Sequence, residues 1–235
     1  MKAFVAGATG LTGRFVVQAL CDRNVAVTAH VRSDSPRLSE WRAHFESLGA
    51  QVDATPWTPG DMIERFSSNV PDLVFATLGT TKKREKRGDG DYLTVDYGLT
   101  AMLIDALKPL QSTRVVYLSS YGVKAGSKSA YLNARWITEE HLRQSGLPFL
   151  IARPSFILGK RDEKRWMESV GGGVSDALLG TLGFLGAKRT ARRFGSIQGE
   201  ELGQGLVREA LRWPQDNRLV HSEDLRADFV PNQEE

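Results

Sequence analysis

Three glycines, Gly7, Gly10 and Gly13, stand three residues apart in VAGATGLTGR (5–14), directly after a short apolar run. Ordered glycine costs conformational entropy, so such a cluster answers a steric demand: a turn through positive φ, or a close approach to the backbone. The run before it predicts a strand, and the residues after it predict a helix. In that setting Gly7 permits the tight turn, Gly10 lets a pyrophosphate reach the backbone, and Gly13 lets the helix pack on the strand. The helix N-terminus then offers unpaired N–H groups and a positive dipole end to the phosphates. A plain glycine turn is the alternative.

The end of the second strand selects among nucleotides. NAD sites place Asp or Glu about 20 residues beyond the glycines, to bond the ribose 2′-hydroxyl. AHVRSDSPR (29–37) puts Arg32 at that place, and the first carboxylate is Asp34. Arg14, directly after Gly13, is a second cation expected near the same pocket. A guanidinium grips phosphate in bidentate fashion, so the pair predicts NADP(H) rather than NAD. A solvated strand-end charge is the alternative for Arg32.

Other chemistries find no support. His30, His44, His141 and His221 are scattered without metal-ligand spacing, so no metal is expected. No G-x-S-x-G elbow occurs, which argues against a hydrolase. TTKKREKRGDGD (80–91) is basic but has no interleaved aromatics, and reads as a solvated lid beside a polyanionic cofactor rather than a nucleic-acid surface. KRTARRF (188–194) reads equally as plain surface. The net charge of +3 agrees with an anionic ligand. Cys21 is the only cysteine, which excludes an internal disulfide and fits a reducing compartment. Glycine follows too soon after Met1 for a signal peptide, and no apolar run reaches the roughly 18 residues of a membrane span. A cytoplasmic protein is the expectation.

The elements that must position these residues follow from alternation. At 235 residues with 41% hydrophobic composition, the chain can build one large α/β domain. Near-continuous apolar runs at 2–6, 25–31, 50–54, 72–78, 114–120 and 148–154 read as strands of a parallel sheet covered on both faces. Helical spacing appears at 12–24, 94–110 and 131–146, the last stopped by Gly146 as a C-cap. The pattern predicts a doubly wound α/β sheet of order 3-2-1-4-5-6. Residues 1–154 then form the nucleotide-binding domain, and 155–235 a small C-terminal substrate cap partly woven back into the sheet. Within the cap a helix is expected at 199–214 and a strand at 218–222. The Gly/Leu-rich segment 171–188 suits a hydrophobic pocket lining, a membrane-surface contact or plain cap core, and Trp136 and Trp166 are candidate pocket walls.

With these motifs in order, the chain resembles the extended and atypical short-chain dehydrogenase/reductases over most of its length. GATGLTGR (7–14) is similar to their glycine motif, and ATLGTT (76–81) to their cofactor loop after strand four. VVYLSSYG (115–122) matches their active-site serine segment, YLNAR (131–135) their Y-x-x-x-K, and ARPSFILG (152–159) their segment beside the nicotinamide. The set looks closest to the NADPH-binding Tat-interacting-protein branch, with NmrA-like relatives. The resemblance implies three catalytic residues: Tyr131 as acid/base, Ser120 as the group polarising the same oxygen, and Arg135 in the place of the lysine that binds the ribose and lowers the Tyr pKa; Ser119 is more structural. It implies cofactor contacts from Gly7, Thr9, Gly10, Leu11, Thr12, Gly13, Arg14 and Arg32. Further contacts are implied from Leu78, Gly79, Thr80 and Thr81, and from Ser119, Tyr131, Arg135, Arg153 and Pro154. Arg135 departs from the family lysine; its fork is bulkier and not interchangeable with an ammonium at a ribose. The function expected is an NADP(H)-dependent oxidoreductase acting on an apolar carbonyl or hydroxyl compound. An NADP(H)-binding redox sensor or scaffold without turnover is the alternative, and homo-oligomerisation is left open.

Overall fold

The computed structural model describes residues 1–79, 91–158, 192–212 and 216–226. Its framework is a seven-stranded, all-parallel sheet of order β3-β2-β1-β4-β5-β6-β9. The strands are β1 (Lys2–Ala6), β2 (Ala26–His30), β3 (Gln51–Asp53), β4 (Leu73–Ala76), β5 (Arg114–Leu118), β6 (Phe149–Arg153) and β9 (Arg218–His221). The expected order therefore holds, extended by β9 at the edge. In register, Ala3 to Ala6 of β1 lie beside Leu73 to Ala76 of β4, so both strands end level where the glycine turn begins.

Alternation along β1 splits the core into two layers. Ala3 and Val5 face a cluster with Val16, Val17 and Leu20 of α1 (Leu11–Cys21), Phe45 of α2 (Leu38–Ser47), and Leu202 and Leu206 of α6 (Gly199–Arg212). Phe4 and Ala6 face the opposite cluster. That cluster holds Met62 and Phe66 of α3 (Pro59–Ser68), Leu103 and Ile104 of α4 (Leu99–Leu107), and Leu142 of α5 (Ala130–Gln144). Both faces are thus covered, as uninterrupted apolar strands require. Two helices, α2 and α3, were not anticipated; α3 starts at a Thr58 cap that accepts from the Asp61 N–H, with Pro59 in its first turn. The helical stretch expected at 94–110 is three conformations in series: a π-helix at Tyr92–Gly98, α4, and a 3₁₀ turn at Lys108–Leu110.

The carboxyl-terminal part joins this framework. β9 runs parallel to β6, pairing Leu150 with Arg218 and Arg153 with His221. A short pair, β7 (Ile157–Leu158) and β8 (Ile197–Gln198), lies just beyond β6, and α7 (Ser222–Leu225) follows β9. Arg226 ties this region together, donating to the carbonyls of Arg192, Gly195 and Ser196. The basic loop from residue 80, the segment 171–188 and Trp166 lie outside the described residues, as do Thr80 and Thr81. Among the described residues, no helix is long and apolar enough to cross a membrane.

Candidate nucleotide and active site

The glycine turn at the end of β1 is shaped by contact on both sides. Gly7 has φ +79, and a Cβ there would lie 2.8 Å from the Thr77 carbonyl of the strand-four loop. At Gly13 a Cβ would lie 2.2 Å from the Gly7 oxygen, so the first turn of α1 packs directly on the turn before it. Gly10 is the N-cap with ordinary extended backbone, and no side chain caps the helix. No acidic residue occupies the first turn. The N-terminal N–H groups and the dipole end of α1 therefore stand uncompensated.

Above this turn lies a cleft of about 210 Å³. It is lined by Gly7, Thr9 and Gly10, by His30 and Arg32 at the end of β2, by Trp57, by Thr77, Leu78 and Gly79 after β4, and by Val95 and Leu99. Its position outside the carboxyl ends of β1 and β4, whose following helices α1 and α4 lie on opposite faces of the sheet, is the crevice in which open α/β sheets bind ligands. Uncapped helix donors, a glycine-floored wall and a cation at the strand end fit a dinucleotide with its phosphates. Among the described residues no carboxylate lines the cleft.

His30, Trp57, Val95 and Leu99 were not anticipated as site residues, whereas Thr77 belongs to the ATLGTT loop expected along the cofactor. The Trp57 indole donates to the Leu99 carbonyl at 3.1 Å and meets the His30 ring edge-on at 4.6 Å. Burial pushes the His30 pKa down, beyond what the Thr55 carbonyl and Asp53 restore, so the ring is neutral at physiological pH. Because Thr55 offers only a carbonyl, His30 Nε2 is the donor in their 2.9 Å bond. Chain spacing carried no signal for this wall; the aromatic residue soon after β3 was the only hint.

Several expected cofactor residues stand elsewhere. Arg32 does line the cleft, with a side chain 61% exposed and 3.5 Å from Asp34. Arg14 does not: its guanidinium lies over the Phe15 ring in a second groove, with Arg37, Glu40, Trp41 and His44. The reason is direction, since a helical side chain projects to the face its position dictates, here toward α2. Trp136 likewise lines an outer groove with Tyr97 and His141, away from the nucleotide cleft.

The Ser–Tyr segment sits at the carboxyl end of β5. Ser120 follows the strand and is partly exposed, with a 3.3 Å bond from its hydroxyl to the Tyr121 carbonyl. Tyr131, in the first turn of α5, is half-buried, with Tyr92 edge-on to its ring at 5.4 Å. Ser129 caps this helix through the Leu132 N–H. Ser119 is fully engaged: its hydroxyl donates at 2.5 Å to Glu139, a buried carboxylate one further turn along the face that carries Tyr131 and Arg135. Arg153 also turns to Glu139, with bonds of 2.8 and 2.6 Å, and Arg143 adds a third at 2.9 Å. Ser119 and Arg153 thus brace β5, α5 and β6 rather than extend into the cleft.

Arg135 departs furthest from the environment the resemblance implies. It is 5% exposed, with Nη1 donating to the Leu118 carbonyl at 2.5 Å and to the Tyr117 hydroxyl at 3.3 Å. Nη2 donates to Asp96 at 2.6 Å and to the Leu78 carbonyl at 3.3 Å. Nε is buried and has no partner among the described residues. Burial favours loss of the proton, but Tyr117, Tyr131 and Asp96 outweigh it and raise the pKa, so the cation is permanent. Its central carbon lies over the Tyr131 ring, 5.2 Å from the ring centre.

A family model described as NAD(P)H-binding matches residues 7–176. The mitochondrial protein FMP52 of Debaryomyces hansenii is 26% identical over 210 residues, 88% of this chain and 86% of its own length. The chloroplastic protein TIC 62 of Arabidopsis thaliana is 28% identical over 197 residues, which are 75% of this chain and 30% of that protein. A solved NAD-dependent epimerase/dehydratase-like protein from Bacillus halodurans shares the fold, with TM-score 0.64 and 17% identity over 94% of this chain and 92% of its own. The organellar names of these relatives overturn the cytoplasmic expectation, which rested on a single cysteine and the lack of an early apolar run. With the glycine turn, cleft and matched segment in place, the chain belongs to the NAD(P)H-binding family.

Proposed function

We propose that the protein is an NADP(H)-dependent oxidoreductase acting on an apolar carbonyl or hydroxyl compound. The observation that carries this reading is the cleft wall itself, which joins the Gly7–Gly10 turn to Arg32 and, among the described residues, presents no carboxylate. Among the described residues the wall offers a 2′-phosphate the Arg32 guanidinium, and the nearest carboxylate, Asp34, is turned to that guanidinium rather than lining the cleft. The bound nicotinamide would supply or accept the hydride. Tyr131 moves a proton between its hydroxyl and the substrate oxygen, and Ser120 polarises that oxygen. Tyr92 and Arg135 fix the Tyr131 ring from its edge and its face. Within 155–235, α6 and β9 belong to the layers of the sheet, and the Arg226-tied segment is the base of the substrate cap.

A second reading is favoured by one observation. Arg135 directs its terminal nitrogens inward, so the ribose lacks the cation that the family pattern supplies, which suits a redox sensor that binds NADP(H) without turnover. One assay separates the two: nucleotide oxidation by purified protein with a panel of apolar aldehydes and ketones. The first reading expects NADPH to be consumed with at least one compound, and faster than NADH. Binding without consumption of either nucleotide across the panel would favour the sensor, and a preference for NADH would overturn the cofactor assignment.

A further inference from the structure

We propose that Arg135 is a positioning residue of the nucleotide cleft: clamped by Asp96, it sets the Leu78–Gly79 wall and leaves the ribose to other groups. This rests on the reading of that cleft as a dinucleotide site. Leu78 and Gly79 both line the cleft. Behind them, Arg135 Nη2 donates to the Leu78 carbonyl and to Asp96, while Nη1 holds Leu118 at the end of β5. One guanidinium therefore ties the strand-four loop, the π-helix that carries Asp96, and β5.

Gly79 gives independent support. A Cβ there would lie 2.7 Å from Arg135 Nη2 and 3.3 Å from Asp96 Oδ1, and would meet no other group nearer than the guanidinium carbon. Its φ lies outside the left-handed region, so the backbone conformation does not call for glycine. Space for the Arg135 fork does. Asp96 is fully buried and the Arg135 side chain nearly so, which favours a fixed charge pair over one that swings to a ligand. A lysine offers one ammonium in place of a planar fork and cannot hold Leu78, Leu118 and Asp96 in the same geometry. Lysine at this position, although it is the family's residue, would therefore loosen the wall.

The test is a double-mutant cycle read by equilibrium binding of NADPH and NADH, well below the melting temperature of each variant. Arg135→Lys is expected to weaken both nucleotides by a similar factor, about tenfold or more. Gly79→Ala is expected to do the same, because its methyl displaces the fork without pointing into the cleft. In the Arg135→Lys background, Gly79→Ala should cost little more, since the fork it would strike is gone; a merely structural role would lower the melting temperatures and leave the nucleotide affinities of the folded variants unchanged. Arg135→Lys binding as tightly as the parent, or strictly additive losses, would overturn the proposal. Failure of the cleft reading is separately visible: the parent protein would then bind neither nucleotide, and both ideas would fall together. Binding without turnover would remove only the reductase reading, and the cycle would still decide this one.

Discussion

Replacing Glu139 with Gln separates bracing from cofactor binding among the arginines around the site. The Glu139 carboxylate is buried and accepts from Ser119, Arg143 and both ends of the Arg153 fork. Burial alone would push its pKa up. The hydrogen bonds from Arg153 and Ser119, with the Arg153 charge, outweigh that and hold it below the ordinary 4.5. Glutamine keeps the shape but removes the charge, leaving Arg153, 17% exposed, facing a neutral amide. Breaking a buried pair costs about 3–5 kcal/mol. Arg143 is 31% exposed and solvent screens its share, so the lower end, about 3 kcal/mol, is the expected loss.

The sign of the pH dependence follows from the depressed folded-state pKa. The stabilisation from Glu139 is complete above the unfolded value and is lost as pH falls through the folded one. The parent should thus lose stability below about pH 4.5, and Glu139→Gln should lose less over the same window. Urea unfolding at neutral and acidic pH reads both effects, with NADPH titration alongside. A variant as stable as the parent would refute the brace. A variant with normal stability and lost NADPH affinity would put Arg153 on the cofactor instead.

Arg32→Ala should weaken NADPH about tenfold, roughly 1.4 kcal/mol, and leave NADH nearly unchanged, with the gap narrowing as salt rises because the side chain is solvent-exposed; calorimetric titration of both nucleotides checks it. Gly10→Ala should keep the fold, since its backbone is ordinary and a Cβ would meet only the Gly7 oxygen at 3.1 Å, yet it should weaken nucleotide binding. Gly13→Ala, with that oxygen 2.2 Å away, should instead lower the melting temperature, so thermal melts and titrations together distinguish the two glycines. Because Trp57 lines the cleft, nucleotide binding should change its fluorescence, and Trp57→Phe should abolish most of that response.

The parts of the fold legible in the sequence are those that backbone and burial dictate. The glycine turn was readable because Gly7 needs a positive φ and Gly13 a close approach. The sheet order was readable because strands covered on both faces must be apolar throughout, as Leu73–Ala76 and Arg114–Leu118 nearly are. Gly146, at φ +79, stops α5 as expected. By contrast, α2 was obscure because Phe45 is its one buried side chain, so its LSEWRAHFES sequence shows little apolar periodicity.

Side-chain destinations were less accessible. Nothing in the spacing says that Arg14 lies over Phe15, or that Arg135 reaches an aspartate 39 positions away. Glu139 could have been found, since it shares a helix face with Tyr131 and Arg135 at successive intervals of four. Gly79 held the other available signal, a glycine whose purpose no turn explained.

A reductase with Tyr131 as its proton donor makes a sharp demand on one comparison: the steady-state rate of the parent and of Tyr131→Phe with the same apolar carbonyl substrate, with NADPH affinity measured in parallel. General acid–base groups contribute about 10²–10⁴-fold, so kcat should fall by that order while NADPH affinity hardly moves. Full turnover by Tyr131→Phe would contradict the account.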